Sequence, residues 1–515
     1  MSAQRTNKMH ILFFFSILHK LYGAVAEQLR AQDSGMEFSG ILYGLDQLRY
    51  LRRNRFPSAR LYAFTAELRD RLPRSGSAMD FLVRWEQQQR VSLSTILSMD
   101  RRYSTFPREE GLQIAAIAIR WCEGLLDRLR PEVIVAEGID DLLSYVLYCA
   151  ARQRGIPYLI TYASPIPERV AIYSNPDNHW EKTEEIFANL QRGPLTDGQR
   201  QRAEELVAAY REKRLVPSYM KAGYTRLFSG LELSSLREVA WRHWVDPAHR
   251  LDPSYAGSVA GVIGQKVKRL LRAGLGALSG FELPRNSEPF VFYPLQMEPE
   301  CSTLVFAPFH ANQMYLIECL AKSLPIDHWL YVKEHPVMAG RRPQAYYRGI
   351  RSLPNVRLIS PRVSSHTLVR DAAAVAVVSS TAGWEALLCG KPVIVLGNVW
   401  FDACDLVWKI KATAELPAVL RRALSGYTPN REQLLRFVTA ALEGTYPGRV
   451  DHPEYCPAVL APQNVAALAS ATRQHLAWLG ARPSQSGAGL SNLVTEVPPV
   501  AVRRAVARSG SAPLS

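Results

Sequence analysis

A histidine, a run of hydroxyls and a glutamate stand in the second half of this 515-residue chain at spacings that suit one anionic ligand. The histidine lies in Lys333-Glu334-His335-Pro336, directly after the apolar pair Tyr331-Val332. An imidazole there can donate to a phosphate or take part in acid–base chemistry. Pro336 has a fixed φ and no N–H, so it ends the strand-like run and helps aim His335. The hydroxyls are Ser379-Ser380-Thr381, followed by Ala382-Gly383, where a β-branched run gives way to a helical pattern. A helix N-terminus offers unpaired N–H groups and a positive dipole end to a phosphate, and hydroxyls there add donors. One serine suffices as an N-cap, so three hydroxyls exceed what capping requires. Glu385 lies about one turn further on, where a carboxylate can accept from both ribose hydroxyls of a nucleotide whose phosphate sits at the helix start.

Strand-like runs alternate with amphipathic helical stretches along the chain, the pattern of a parallel α/β sheet. In the first half the spacing predicts strands at 10–18, 133–136 and 158–162, and helices at about 21–31, 111–130 and 140–154. Residues 183–280 read mostly as an arginine- and lysine-rich helical insertion, in which the basic amphipathic stretch 264–278 reads first as a solvated helix packed on the domain and second as one lying on an anionic membrane surface. Residues 281–289 read as an interdomain linker. Strands are then expected at 290–296, 328–334, 356–360, 374–380 and 391–397, with helices between them and a last helix near 463–479. Such a doubly wound sheet binds ligands at the carboxyl ends of its strands, where His335, the hydroxyls and Glu385 all fall. Alternation sends Lys333 and Glu334 to opposite faces of their strand, so at most one faces the site, and neither is assigned a catalytic role. The domains expected are 8–280 with its insertion, 290–480, and a Ser-, Pro-, Gly- and Ala-rich tail at 481–515 with the composition of a disordered segment.

The stretch Gly383-Trp384-Glu385-Ala386-Leu387-Leu388-Cys389-Gly390-Lys391-Pro392-Val393-Ile394-Val395-Leu396-Gly397 resembles the donor-nucleotide region of glycosyltransferases with the GT-B fold. Lys333–Pro336 resembles the His-Pro motif of bacterial sialyltransferases and Kdo transferases, and Ser379–Thr381 resembles their serine-rich motif. Phe292–Gln296 with Glu298–Thr303 resembles a block of bacterial capsule polysaccharide synthesis proteins related to the Kdo transferases of capsule export, with Gln296 where histidine is common. The resemblance covers roughly 290–405; the first half shares only the strand–helix rhythm. It implies two Rossmann-like doubly wound parallel-sheet domains facing a cleft. It also implies a CMP-sugar donor held by His335, Ser379, Ser380, Thr381, Gly383 and Glu385, with Gln296, Glu300 and His310 as candidate sugar contacts. The function it implies is transfer of a sugar, Kdo first, to a surface or capsular polysaccharide or its lipid-linked acceptor.

Glycosyl transfer needs a carboxylate to deprotonate the acceptor or to carry a covalent intermediate. Glu137 is the candidate, at a strand's carboxyl end beside Gly138, whose missing side chain allows close approach. Ala136-Glu137-Gly138 resembles part of the acidic-acidic-Gly motif of bacterial sialyltransferases, with the first acid absent. His335 is the second catalytic candidate. Asp140 and Asp141 are nearby alternates better suited to capping the next helix. No Asp-x-Asp motif is present and a CMP-sugar carries one phosphate, so the expected reaction uses no metal and no cofactor.

The net charge of +15, mostly arginine, points to polyanionic partners, and nucleic acid is set aside because no nucleic-acid-binding signature occurs. The seven cysteines show no CxxC pair and no zinc spacing, which fits a reducing compartment. The apolar run Ile11–Leu18 is too short to span a bilayer and reads as a buried parallel strand. The expected setting is the cytoplasm, with peripheral contact at the inner membrane. Rival readings are a CDP-glycerol-type polyol-phosphate transferase, with His310 in a second histidine role, a nucleotide-sugar epimerase of the same fold, and a non-enzymatic scaffold.

Overall fold

The computed structural model describes residues 9–54, 56–71, 78–101, 103–212, 264, 280–338, 341–454 and 456–481. The basic segment 264–278 beyond Gly264, the insertion past 212 and the tail from 482 lie outside them. Met1–Ala471 form one compact unit, and Thr472–Ser515 a second whose described part is the end of the helix Pro462–Ala481.

Among the described residues the first unit holds two sheets. One comprises β1 (Met9–Phe15), β2 (Met36–Leu42), β3 (Leu61–Ala63), β4 (Val133–Ala136), β5 (Tyr158–Ala163) and β6 (Arg169–Tyr173). The other comprises β7 (Phe290–Pro294), β8 (Trp329–Lys333), β9 (Val356–Ile359), β10 (Ala374–Val377), β11 (Val393–Val395) and β12 (Trp408–Lys409). A last strand, β13 (Tyr446–Pro447), returns to the first sheet, whose order is β13-β6-β5-β4-β1-β2-β3. The second sheet runs β12-β11-β10-β7-β8-β9, with every pair parallel. That is the doubly wound order in which the chain reverses direction between its first and fourth strands, β7 and β10, and leaves a crevice there. The first sheet has the same arrangement about β1 and β4. The α/β fold of two Rossmann-like sheets is therefore present.

Burial explains the strands that were legible. Ile11 to Phe15 are all buried, because β1 is a central parallel strand covered on both faces. It ends at Phe15, and Ser16–Leu18 form a loop instead of extending it to 18. β2 and β3 were missed. β2 contains Ser39-Gly40, and a Cβ on Gly40 would come within 2.7 Å of both Leu61 and Phe15, so glycine is what admits the neighbouring side chains. β3 has only three residues, too few for any period to show.

Residues 281–289, read as an interdomain linker, are fastened to the second sheet. Glu282 bridges Ile359, its N–H donates to Leu358 O at 2.8 Å, and it accepts from Ser360 N at 3.0 Å. The nearly buried Arg357 guanidinium donates to both Glu288 oxygens at 2.7 Å and to Glu282 at 2.8 Å. The chain also crosses back after the second sheet. The helix Arg431–Gly444 packs on the helices Glu181–Leu190 and Asp197–Arg211, with Phe437 edge-on to Phe187 at 5.1 Å, before β13 joins β6.

Loops of the two sheets meet. Asn398, after β11, donates to Asp177, after the antiparallel strand β6, at 3.3 Å. Trp180 stacks on Trp400 at 4.0 Å. No helix among the described residues is long and apolar enough to cross a membrane.

Candidate functional site

The turn after β8 is built from a buried ionic cluster. Leu330 and Val332 belong to one hydrophobic core and Tyr331 to the other, so Lys333 shares the face of Tyr331 while Glu334 turns toward the helix Gln344–Arg351. Glu334 is fully buried. Its Oε1 accepts the His335 N–H at 2.7 Å, and its Oε2 accepts from Tyr347 Oη at 2.8 Å and Arg342 Nε at 3.0 Å. Arg342, also buried, donates to Gln296 O at 2.6 Å and pairs with Glu298. These contacts fix the backbone that carries His335, and Met338 N closes the turn onto His335 O at 2.8 Å. No periodicity marks Arg342 as a partner of Glu334 and Glu298, because the pairing depends on how the turn after β8 folds back.

His335 is partly exposed. Burial, then the charges of Lys333, Arg342 and Arg341, lower its pKa to about 4. It is therefore a neutral imidazole at pH 7 and acts through hydrogen bonding rather than as a cation.

The three hydroxyls divide their work. Ser379 Oγ donates to Ser302 O at 2.6 Å, which ties the end of β10 to the segment after β7. Ser380 caps the helix Thr381–Leu388 by accepting from Ala382 N at 3.2 Å. Thr381 stands first in that helix, partly exposed. Gly383 does not open toward a ligand. It is buried, and a Cβ there would lie 2.8 Å from Phe401 and 2.9 Å from Val377, so glycine lets the helix lie close on β10. Glu385 follows one turn later, and its carboxylate has no hydrogen-bond or ion-pair partner among the described residues. Burial raises its pKa to about 7. The helix stops at Gly390, whose φ of +71° favours glycine.

The segment after β7 places the remaining candidates. Gln296 is buried and structural: its N–H donates to Gln313 Oε1 at 2.6 Å, and its carbonyl accepts from Arg342 and Gln313. This corrects its expected place among open sugar contacts. Glu300 accepts from Ser302 Oγ at 2.7 Å, and burial raises its pKa against the pull of Ser302 and Arg101. His310 ends the short turn Pro308–His310, beside a largely exposed Phe309.

Glu137, expected as an open base, is an anchor. Its Oε1 accepts from Ser16 N at 2.9 Å, and its Oε2 accepts from Ile17 N and Leu18 N at 2.7 Å each. The loop after β1 thus closes over the end of its sheet neighbour β4. Burial raises the Glu137 pKa to about 8, against the three N–H donors. Asp141 caps the helix Leu142–Gln153 as expected, accepting from Ser144 N at 2.8 Å. Asp140 is more open and pairs with Arg101 at 3.0 Å. Asp140 acts electrostatically on Glu300 and Cys301, which follow β7, so the end of β4 lies close to the end of β7.

The His-Pro turn follows β8 and the hydroxyl-led helix follows β10, the two strands that flank β7, so both start from one carboxyl edge of the second sheet. Residues 248–437 match the family described as capsule polysaccharide biosynthesis protein. The matched residues include His335, Ser379, Ser380, Thr381 and Glu385. Protein FixF of Sinorhizobium fredii is 30% identical over 158 residues, 29% of this chain and 36% of that protein. The capsule polysaccharide modification protein LipA of Neisseria meningitidis serogroup B is 32% identical over 72 residues, 14% of this chain and 10% of LipA. The chain therefore aligns with well under two thirds of either relative. Among solved structures, a β-Kdo 2,7 transferase, KpsC of Thermosulfurimonas dismutans, superposes with a TM-score of 0.35 at 13% identity, over 68% of this chain and 87% of that one. The UDP-bound MnaA of S. aureus does so with a TM-score of 0.30 at 10% identity, over 93% and 99%.

Proposed function

We propose that the chain is a glycosyltransferase that moves a sugar, Kdo first, from a CMP-sugar to a surface or capsular polysaccharide or its lipid-linked precursor. The observation that carries this reading is Glu385: a partly exposed carboxylate whose pKa burial raises to about 7, without a hydrogen-bond or ion-pair partner among the described residues, one turn into a helix whose start carries Ser380 and Thr381. Two ribose hydroxyls would supply the missing donors, with the donor phosphate at the helix start. A single phosphate can be held by the dipole, the hydroxyls and neighbouring side chains, so the proposed reaction is metal-independent. The proposed setting is the cytoplasmic face of the inner membrane, where the +15 charge suits an anionic surface.

A thermal-shift series with CMP, CDP, UDP and ADP tests the donor, because a ligand at 100 times its Kd adds about 2.7 kcal/mol of stability. CMP is expected to give the largest shift, and a larger shift with UDP would defeat the CMP-sugar reading. Dominance of CDP would instead favour a CDP-glycerol-type transferase. Glu385→Gln is expected to weaken CMP binding by about tenfold in calorimetry, since hydrogen bonds to a charged acceptor contribute roughly 1.5–3 kcal/mol. Unchanged affinity would remove Glu385 from the site.

For the acceptor side we propose Asp140 as the carboxylate that deprotonates the hydroxyl, with Glu137 holding the 16–18 loop that shapes the pocket. Asp140→Asn is expected to slow transfer by about 10²–10⁴-fold, the usual weight of a general base, with CMP affinity kept. Glu137→Gln is expected to lower the melting temperature as well as the rate, because an amide nitrogen cannot accept from the loop. If Asp140→Asn turns over normally while Glu137→Gln loses transfer without loss of stability, Glu137 is the base.

A further inference from the structure

The donor phosphate brings negative charge into a crevice whose histidine is neutral at pH 7, so a cation must come from elsewhere. Arg342 is spent: its guanidinium is taken by Glu334, Glu298 and Gln296 O. Lys333 is different. It is 3% exposed, and its only hydrogen bond among the described residues is to Glu334 O at 3.5 Å. The Glu334 carboxylate lies on the opposite face, held by Arg342, Tyr347 and the His335 N–H. A buried ammonium without a carboxylate partner is costly, and two of its three protons lack acceptors.

Its placement indicates what it is for. Lys333 pairs in register with Pro294 of β7. It shares the face of Tyr331, whose core also contains Phe292, Val377, Trp384 and Leu387, so this is the face covered by the helix Thr381–Leu388. It stands at the carboxyl edge of that face, close enough to His335 for its charge to act on the imidazole. Burial lowers its pKa to about 8, which still leaves it mostly protonated at pH 7. We infer that Lys333 is the cation of the donor phosphate site, its ammonium binding the phosphate from below the His-Pro turn while the helix start binds it from the side. The inference rests on the donor-site reading above.

Calorimetry of Lys333→Met with CMP and with cytidine separates phosphate recognition from a structural role. CMP affinity is expected to fall about 30-fold, the scale of a lost charge-assisted hydrogen bond, with cytidine affinity unchanged and the melting temperature not lowered. Equal CMP affinity in wild type and variant, or equal losses for CMP and cytidine, overturns the inference. Should Lys333→Met not fold, Lys333→Gln reads the same ratio, with the amide keeping a donor but not the charge. If the wild type prefers UMP, the CMP reading fails while Lys333 is judged by the UMP-to-uridine ratio in the same variants. A wild type that binds no nucleotide overturns both.

Discussion

Alanine at position 335 is expected to leave a folded protein that transfers sugar at least ~100-fold more slowly, the loss usual when one preorganised hydrogen-bond donor is removed from a transition state. The imidazole sits on a backbone held by Glu334 and Arg342, so its removal should not disturb the turn. The neutral state sets the chemistry. With a pKa near 4, His335 would meet the departing phosphate of the proposed reaction as an uncharged hydrogen-bonding group, and asparagine or glutamine there should restore part of the rate. The pH sign follows. Folding favours the neutral form, so this contribution to stability is present above the ordinary value of 6.5 and is lost as pH falls from there toward about 4. Initial rates with a CMP-sugar, together with thermal melts of both proteins, decide it. Unchanged turnover in His335→Ala would remove the histidine from the site.

Arg342→Leu is expected to cost about 3–5 kcal/mol of stability, the range for breaking a buried ion pair and leaving its partner uncompensated. Glu334 would remain fully buried with Tyr347 and one backbone N–H as its only donors, and burial already raises its pKa against the pull of Arg342. The Gln296 carbonyl would lose its strongest donor in the same substitution. Urea unfolding of Arg342→Leu, Glu334→Leu and the double variant forms a thermodynamic cycle. The double variant should lose less than the two single losses combined, because neither charge is then stranded. A midpoint for Arg342→Leu close to wild type would mean that the cluster does not hold the turn. CMP affinity should fall along with stability, since the same contacts place His335.

The legible part of the site is the part written in local spacing. A strand that stops at His-Pro, a helix that begins on hydroxyls and a glutamate one turn later are readable because strand and helix periods act over a few residues. The period of two correctly sent Lys333 and Glu334 to opposite faces. Which face carries the crevice depends on the register of β8 against β7 and on where the helix Thr381–Leu388 lies, and no local pattern encodes either. Gly383 looked like part of a ligand loop, yet its missing side chain makes room for Phe401 and Val377. Gln296 occupied a motif position, yet it is consumed by Gln313 and Arg342.

The same division applies to the whole chain. Apolar runs such as Ile11–Phe15 and Phe290–Tyr293 announce parallel strands because burial on both faces demands hydrophobic side chains throughout, and the α/β class follows from their alternation with helices. Residues 120 or more positions apart decide the rest. Glu137 became an anchor because β1 and β4 are neighbours, which brings Ser16, 121 residues away in sequence, onto its carboxylate. The return of Tyr446–Pro447 to β6 has the same origin, and the pairing of Arg342 with Glu298, 44 residues away, also depends on tertiary packing. Local pattern announces the long apolar strands and the amphipathic helices and the residue types at their ends, but not short or glycine-interrupted strands such as β2 and β3. Only the folded chain decided which of those side chains are spent on one another and which are left for a ligand, because a buried polar group takes whatever partner long-range packing brings to it.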